Sequence, residues 1–171
     1  MKKVVKFGGS SLANAEQFQK VGDIIRSEES RRYVVPSAPG KRFSADTKVT
    51  DLLYTCYDKA EAGEDFTDAL TEIKGRFYEI IKGLNLDLSL EEEFRQIEAD
   101  FKAHAGNEYA ASRGEFLNGK VMAAYLGYEF IDSATVIRFD KNGNFDADKT
   151  DKLLAKRLQK CERAVIPGFY G

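Results

Sequence analysis

Short β-prone runs, each closed by a glycine or proline turn and followed by a helical pattern, recur along this chain, and that alternation leaves it few folds. Val4, Val5 and Phe7 stop at Gly8-Gly9-Ser10-Ser11, after which Phe18, Val21 and Ile25 take up helical spacing. Asn14, with Gln17 three residues later, is a capping-box pattern that sets the helix start a few residues beyond the glycines. Tyr33-Val34-Val35 is a second strand, ended by Pro36 and the turn Ser37-Ala38-Pro39-Gly40. Proline cannot donate to a ladder, so this strand tip is expected to be irregular. A helix from about Val49 to Ala62 follows, with Val49, Leu52, Leu53, Cys56 and Tyr57 on one stripe.

Two more helical patterns fill residues 66–105, split by Gly83-Leu84-Asn85 and restarted at Ser89-Leu90-Glu91-Glu92, a second capping box. No strand signal interrupts them. The next helix spans about Glu108 to Leu126 with Gly127 as its stop. Tyr128–Asp132 and Val136–Phe139 read as short strands, and Asn142-Gly143 between Phe139 and Phe145 signals a type I′ hairpin. A helix from about Asp148 to Lys160 precedes a last strand at Ala164–Pro167 and the turn Gly168-Phe169-Tyr170-Gly171. The order predicts an α/β fold, a three-layer α/β/α sandwich with a mainly parallel sheet covered on both faces. Because the chain stops just after a strand, in a glycine turn, part of that sheet is expected to be missing.

The 171 residues are enough for one domain with a core of its own. A net charge of −2 removes the broad basic footprint of a general nucleic-acid binder. The basic N-terminus Met1-Lys2-Lys3 runs straight into the glycines without the apolar stretch of a signal peptide, and no run is long enough to span a membrane. Cys56 and Cys161 lie far apart with no second cysteine or histidine at ligand spacing, so they read as buried reduced thiols. A cytoplasmic protein without membrane or nucleic-acid partners is expected.

Chemistry concentrates at the turns. Lys6-Phe7-Gly8-Gly9-Ser10-Ser11 sits where a strand becomes a helix: glycines let backbone amides approach a ligand, a helix N-terminus carries partial positive charge, and Lys6 adds a full one. Those are the needs of a phosphate cradle, yet the lysine precedes the glycines, so neither GxxxxGK(S/T) nor GxGxxG is matched. A plain structural turn explains the same residues. Ser37-Ala38-Pro39-Gly40 lies at a strand tip, the edge where open parallel sheets collect ligands. Glu115, in Ser112-Arg113-Gly114-Glu115, is one residue off its helix's apolar stripe. It either points along the sheet edge toward a ligand amine or is an exposed glutamate paired with lysine, the commoner outcome.

Together these elements resemble the amino acid kinase family, in its aspartokinase branch. Lys6-Phe7-Gly8-Gly9-Ser10-Ser11-Leu12-Ala13 is similar to the branch's opening signature, and relatives acting on glutamate, acetylglutamate, carbamate or UMP open differently. Ser37–Gly40, Val49-Thr50-Asp51-Leu52-Leu53, Ser112–Glu115 and Pro167–Gly171 follow in the family's order, and the all-helical stretch at about 66–105 has its counterpart too. The resemblance implies phosphoryl transfer from ATP to the β-carboxylate of L-aspartate, giving 4-phospho-L-aspartate, the first step toward lysine, threonine and methionine. It assigns Lys6 to charge stabilisation on the moving phosphoryl group and Gly8, Gly9 and Ser10 to phosphate oxygens. Ser37, Thr50, Glu115 and Phe169 map around the amino acid, with Glu115 on its α-ammonium. Magnesium is held by the nucleotide phosphates, so no protein metal ligand is implied.

The resemblance also implies an absence. Relatives continue into a GRGGSD segment, an adenine-binding half and ACT domains, so residues 1–171 are expected to be the amino-acid-binding, N-terminal part of a kinase domain, inactive alone and prone to self-association, from an enzyme that is a homo-oligomer at full length. Two other readings stand beside this one: a non-catalytic anion- or metabolite-binding module, and a sibling amino acid kinase with another acyl acceptor. Asp140, Asn142, Asn144, Asp146, Asp148 and Asp151 have calcium-loop spacing, but Phe145 occupies the position that needs glycine, and a hairpin explains the pattern. His104, the single histidine, reads as a helix-surface or helix-end residue.

Overall fold

A computed structural model describes residues 1–170. Strand β1 (Lys3–Phe7) ends at the glycines, and one 3-10 turn, Gly9–Leu12, stands between it and helix α1 (Ala15–Arg26). The Asn14 side chain caps α1 by accepting the Gln17 N–H at 3.0 Å, as the capping pattern requires. Strand β2 (Arg31–Pro36) pairs parallel with β1 from Lys3–Arg31 to Phe7–Pro36. The irregularity expected at Pro36 lies instead at the far end, a register shift between Lys3 and Val4. At the proline tip the ladder bond is made by the Ser37 N–H to the Phe7 carbonyl at 3.0 Å, so Pro36 is not asked to donate there.

Helices α2 (Val49–Glu61), α3 (Thr67–Gly83), α4 (Glu91–Lys102) and α5 (Asn107–Leu126) follow without an intervening strand. Strand β3 (Glu129–Phe130), the short α6 (Ser133–Val136), α7 (Ala147–Leu158) and β4 (Ala164–Val165) complete the described chain. The sheet runs β1-β2-β4-β3, every pair parallel. Its two faces follow from strand alternation. Val34 and Val165 point into a large core with α1, α2, α3, α4 and α5, while Tyr33 and Ala164 point the other way, onto Val136, Leu154 and Leu158 of α6 and α7. The expected three layers are present.

The second face departs in detail from expectation. The strand expected over 136–139 does not form: Val136 ends a helical turn over 133–136, which Asp132 caps by accepting the Ala134 N–H at 2.9 Å, and among the described residues 137–139 pair with no neighbouring strand apart from one bridge at Phe139. Phe139 and Phe145 form one isolated antiparallel bridge. A type I′ turn needs positive φ at both central residues, and only Gly143 has it, at 79°. The Asp140 carboxylate instead accepts the N–H groups of Asn142 and Asn144 at 2.8 and 2.9 Å, closing a longer loop and occupying the acid a calcium ion would have used.

In the helical stretch, Phe66 meets Phe101 edge-on at 5.9 Å and Phe77 meets Phe94 at 6.1 Å. Leu90, not Ser89, is the residue at the start of α4, and the Ser89 hydroxyl accepts the Glu91 N–H at 3.3 Å. Cys56 is buried, which pushes its thiol pKa up to about 12, and Cys161 is half-buried; both are free. His104 follows α4 on the surface, its Nδ1 2.7 Å from Glu61. Among the described residues no helix is long and apolar enough to cross a membrane.

Candidate functional site

The carboxyl ends of β1, β2 and β4 open on one side of the sheet, and a cleft of about 450 Å³ lies there. Gly9, Ser10, Ser37, Thr50 and Glu115, drawn from four separate segments of the sequence, line it together with Ala38, Pro39, Gly40, Lys41 and Lys48. This is the edge at which a parallel sheet leaves polar backbone groups free for a ligand. Five of the eight residues the sequence nominated therefore converge on one cavity. Gly8 and Lys6 sit just behind it, both exposed, and Lys6 is close enough to Glu115 to act on its charge.

The wall between the first two strand tips is made of backbone. The Gly40 N–H donates to the Gly9 carbonyl at 2.8 Å; a Cβ on Gly40 would stand 2.6 Å from the Gly9 carbonyl carbon, and one on Gly9 would stand 2.8 Å from the Ala38 carbonyl oxygen. Only two glycines let these turns touch. The same pairing corrects one feature of the phosphate cradle: α1 begins at Ala15, past the 3-10 turn, with its first amides turned to the Asn14 cap, so the amides at the cleft belong to the 3-10 turn and not to the long helix. Gly8 has open space where a side chain would be, leaving its backbone approachable.

Glu115 is the electrostatic centre. It projects from α5, a helix buried on nearly every side, so its carboxylate is half-buried at the sheet edge. Burial pushes its pKa above the usual carboxylate value; Lys6 and the backbone N–H groups of Phe169, Ala38 and Gly168 oppose that shift. Those amides lie toward the carboxylate without completing a hydrogen bond to Oε2, which is buried and unpartnered. Gly168 permits this approach, since a Cβ there would stand 2.9 Å from Oε2. Among the described residues Glu115 forms no ion pair, against the commoner outcome for a helix glutamate. Phe169 reaches the site through its backbone; its ring is 43% exposed and lies outside the cleft lining.

Four contributors were not nominated by the sequence. Asn118, one turn after Glu115 and fully buried, donates from Nδ2 to the Ser37 carbonyl at 2.7 Å. A polar residue within the stripe Gly114-Leu117-Val121 was the available signal. Lys41 and Lys48 bring positive charge to the cleft from the loop after β2, where exposed lysines carry no distinguishing pattern. Arg76, on the apolar face of α3 between Ile73 and Ile80, is only 2% exposed and reaches the same loop. An arginine inside an apolar stripe was again visible.

The whole chain, residues 1–171, matches the sequence profile of the amino acid kinase family. Aspartokinase 3 of Bacillus subtilis is 35% identical over 99% of this chain and 40% of its own length. The crystal structure of Clostridium acetobutylicum aspartate kinase superposes with a TM-score of 0.95 at 48% identity, covering 100% of this chain and 40% of that one. Escherichia coli aspartokinase III, solved with aspartate and ADP, shares the fold at a TM-score of 0.78 and 23% identity over 98% of this chain and 40% of its own. The chain thus spans about 40% of the length of these relatives.

Proposed function

The chain belongs to the amino acid kinase family, and from that premise we propose that its strand-tip cleft binds the amino-acid substrate of an aspartate kinase, which phosphorylates the β-carboxylate of L-aspartate with ATP. The observation that supports this most is Glu115: a half-buried carboxylate with one unpartnered oxygen, on a cleft whose other lining is glycines, hydroxyls, lysines, Ala38 and Pro39. A buried acceptor left unmade is costly, and an α-ammonium is the donor that offsets it best. Ser37 and Thr50, which line the same cleft, would orient the amino acid, and Phe169 would add its backbone N–H near Glu115. Lys41 and Lys48 leave the cleft friendly to carboxylates, unlike a site for a neutral metabolite.

In this reading a β-carboxylate oxygen attacks the terminal phosphorus of ATP as the bond to the bridging oxygen breaks, and ADP leaves. Lys6 neutralises charge spreading over the transferred group, and the amides of Gly8, Gly9 and Ser10 take phosphate oxygens at fixed positions, so stabilisation is electrostatic and preorganised. The nucleotide phosphates would hold any magnesium, which would screen their charge; the one carboxylate lining the cleft, Glu115, feels the Lys6 charge, and that donor set fits an ammonium better than a metal. We further propose that residues 1–171 form the amino-acid-binding N-terminal part of the kinase domain, with α3 and α4 as its helical insertion.

Kinetics test the proposal. In the gene product at the length of its relatives, ADP release should depend on L-aspartate; Lys6→Ala should lower kcat at least about 10²-fold, and Glu115→Gln should raise KM for aspartate far more than for ATP. The 171-residue chain alone should show no aspartate-dependent turnover. Turnover of glutamate or acetylglutamate in place of aspartate would move the assignment to a sibling enzyme, and no turnover of any carboxylate would leave a binding module.

A further inference from the structure

The loop that carries Lys41 and Lys48 into the cleft is held from beneath by a side chain of the helical stretch. Arg76 of α3 donates from Nη2 to the Gly40 carbonyl at 2.6 Å and from Nη1 to the Thr47 carbonyl at 2.9 Å, so one guanidinium ties the loop's two ends together. Nη1 also lies 3.1 Å from Asp46 Oδ2. Asp46, itself buried, accepts the Arg42 backbone N–H at 2.8 Å and the Arg42 side chain at 3.0 Å, and Arg42 continues to Glu79, one turn beyond Arg76 on α3, at 2.8 Å. Hydrogen bonds from Arg42 hold the Asp46 carboxyl well below the usual carboxylate range. A buried arginine is expensive unless its donors are met, and here the two Nη groups are met while Nε is buried without a partner. Two of its acceptors are backbone carbonyls reached from two separate nitrogens, a spread that the single nitrogen of lysine does not reproduce.

We propose that Arg76 is a positioning residue for the cleft: by clamping Gly40 to Thr47 it fixes the loop that presents Lys41 and Lys48, so that α3, outside the site, sets how tightly the site holds an anionic amino acid. Gly40 is the residue whose N–H meets Gly9, so the same clamp fixes the distance between the two strand-tip turns. Thr50 is the second residue of α2, just after the loop, and is located by it. This rests on the reading of the cleft given above, and its test is built to fail separately.

The four amides of Gly40, Arg42, Asp46 and Val49 each donate within this region, to Gly9, Asp46, Phe43 and Pro39 respectively, and serve as reporters. Hydrogen exchange on the 171-residue chain with Arg76→Lys and with Arg76→Met should show these four accelerated at least about tenfold while the α5 amides stay as protected as before. L-Aspartate, titrated by NMR, should bind at least about tenfold more weakly to both variants. Arg76→Lys keeps the charge, so it keeps the chain folded if Arg76→Met does not, and its failure to restore the loop separates clamping from charge neutralisation. Unchanged exchange, an equal rise across the whole chain, or a loosened loop with unchanged aspartate affinity would each overturn the proposal. If the unaltered chain binds no aspartate, the reading of the cleft falls, and the exchange pattern still decides whether Arg76 holds the loop.

Discussion

The helical stretch and the strand-tip cleft are built on opposite terms. Between α3 and α4 the interior is filled: Phe77, Phe94, Ile97 and Phe101 are buried to within 2% of full burial, Phe101 meets Phe66 edge to face, and Phe77 meets Phe94 at a tilt. At the cleft the chain leaves space, brings glycine against glycine, and keeps Glu115 Oε2 and Asn118 Oδ1 buried without partners. Stability sits in the first region, and the second spends some of it on readiness for a ligand. Arg76 joins them, an ion from the filled region whose acceptors belong to the open one.

The comparison breaks most visibly if a core ring is removed. Phe77→Ala should destabilise the chain by about 3–5 kcal/mol, read as a fall in the denaturant midpoint. A cost under about 1 kcal/mol would mean that the helical stretch is not the stability reservoir described here. At the cleft, Gly40→Ala should cost about 1–3 kcal/mol, because the new Cβ meets backbone and not a movable side chain. That loss should come with weaker aspartate binding, which Phe77→Ala, in protein still folded, should leave nearly unchanged.

Glu115→Gln should have the opposite sign. Removing a half-buried charge whose burial outweighs the compensation from Lys6 and the nearby amides should raise stability by about 1 kcal/mol at neutral pH while abolishing aspartate binding. A stability loss would show that the backbone amides near Oε2 already satisfy the carboxylate. The smallest effect is in pH. Because the folded pKa of Glu115 is raised above 4.5, its proton is taken up before those of ordinary carboxylates as pH falls, so the folded state gains stability from it on acidification while its hold on an ammonium is lost. Asp46 is shifted the other way: its contribution is present above its unfolded value near 3.8 and goes only at still lower pH. As pH falls toward the ordinary carboxylate range, then, aspartate affinity should fall while the amides of the Arg76 loop stay protected.

What could be read beforehand follows the same division. Strand alternation, the Asn14 cap and the apolar stripes of α1 and α2 are local patterns, and they lie where periodicity puts them. The Val136–Phe139 segment misled because its β-branched residues suit a strand but no neighbouring strand among the described residues is there to pair with them, and the Asp132 cap draws Val136 into a helical turn. At the site, each turn was legible singly, since glycines and a preceding lysine mark a strand end. Their convergence was not, because it depends on β1, β2 and β4 lying side by side, and strand order is a long-range property. Glu115 illustrates the limit: spacing favoured a lysine-paired surface residue, and only the packing of α5 against the sheet turns it inward. Arg76 was visible as a charge in an apolar stripe, but its acceptors, the Gly40 and Thr47 carbonyls, lie in a loop of no regular pattern.

The central claim is that the Glu115 carboxylate awaits the α-ammonium of an acidic amino acid. An NMR titration of the 171-residue chain at pH 7 with L-aspartate and, separately, with N-acetyl-L-aspartate tests it most directly, because acetylation turns that ammonium into a neutral amide while keeping both carboxylates. The account predicts saturable shifts at the Gly9, Ala38, Gly168 and Phe169 amides with L-aspartate, absent in Glu115→Gln, and at least about tenfold weaker binding of the acetylated compound, the loss of one buried charge-assisted hydrogen bond. Equal binding of both compounds, or a Glu115→Gln variant that binds L-aspartate as the unaltered chain does, would contradict it.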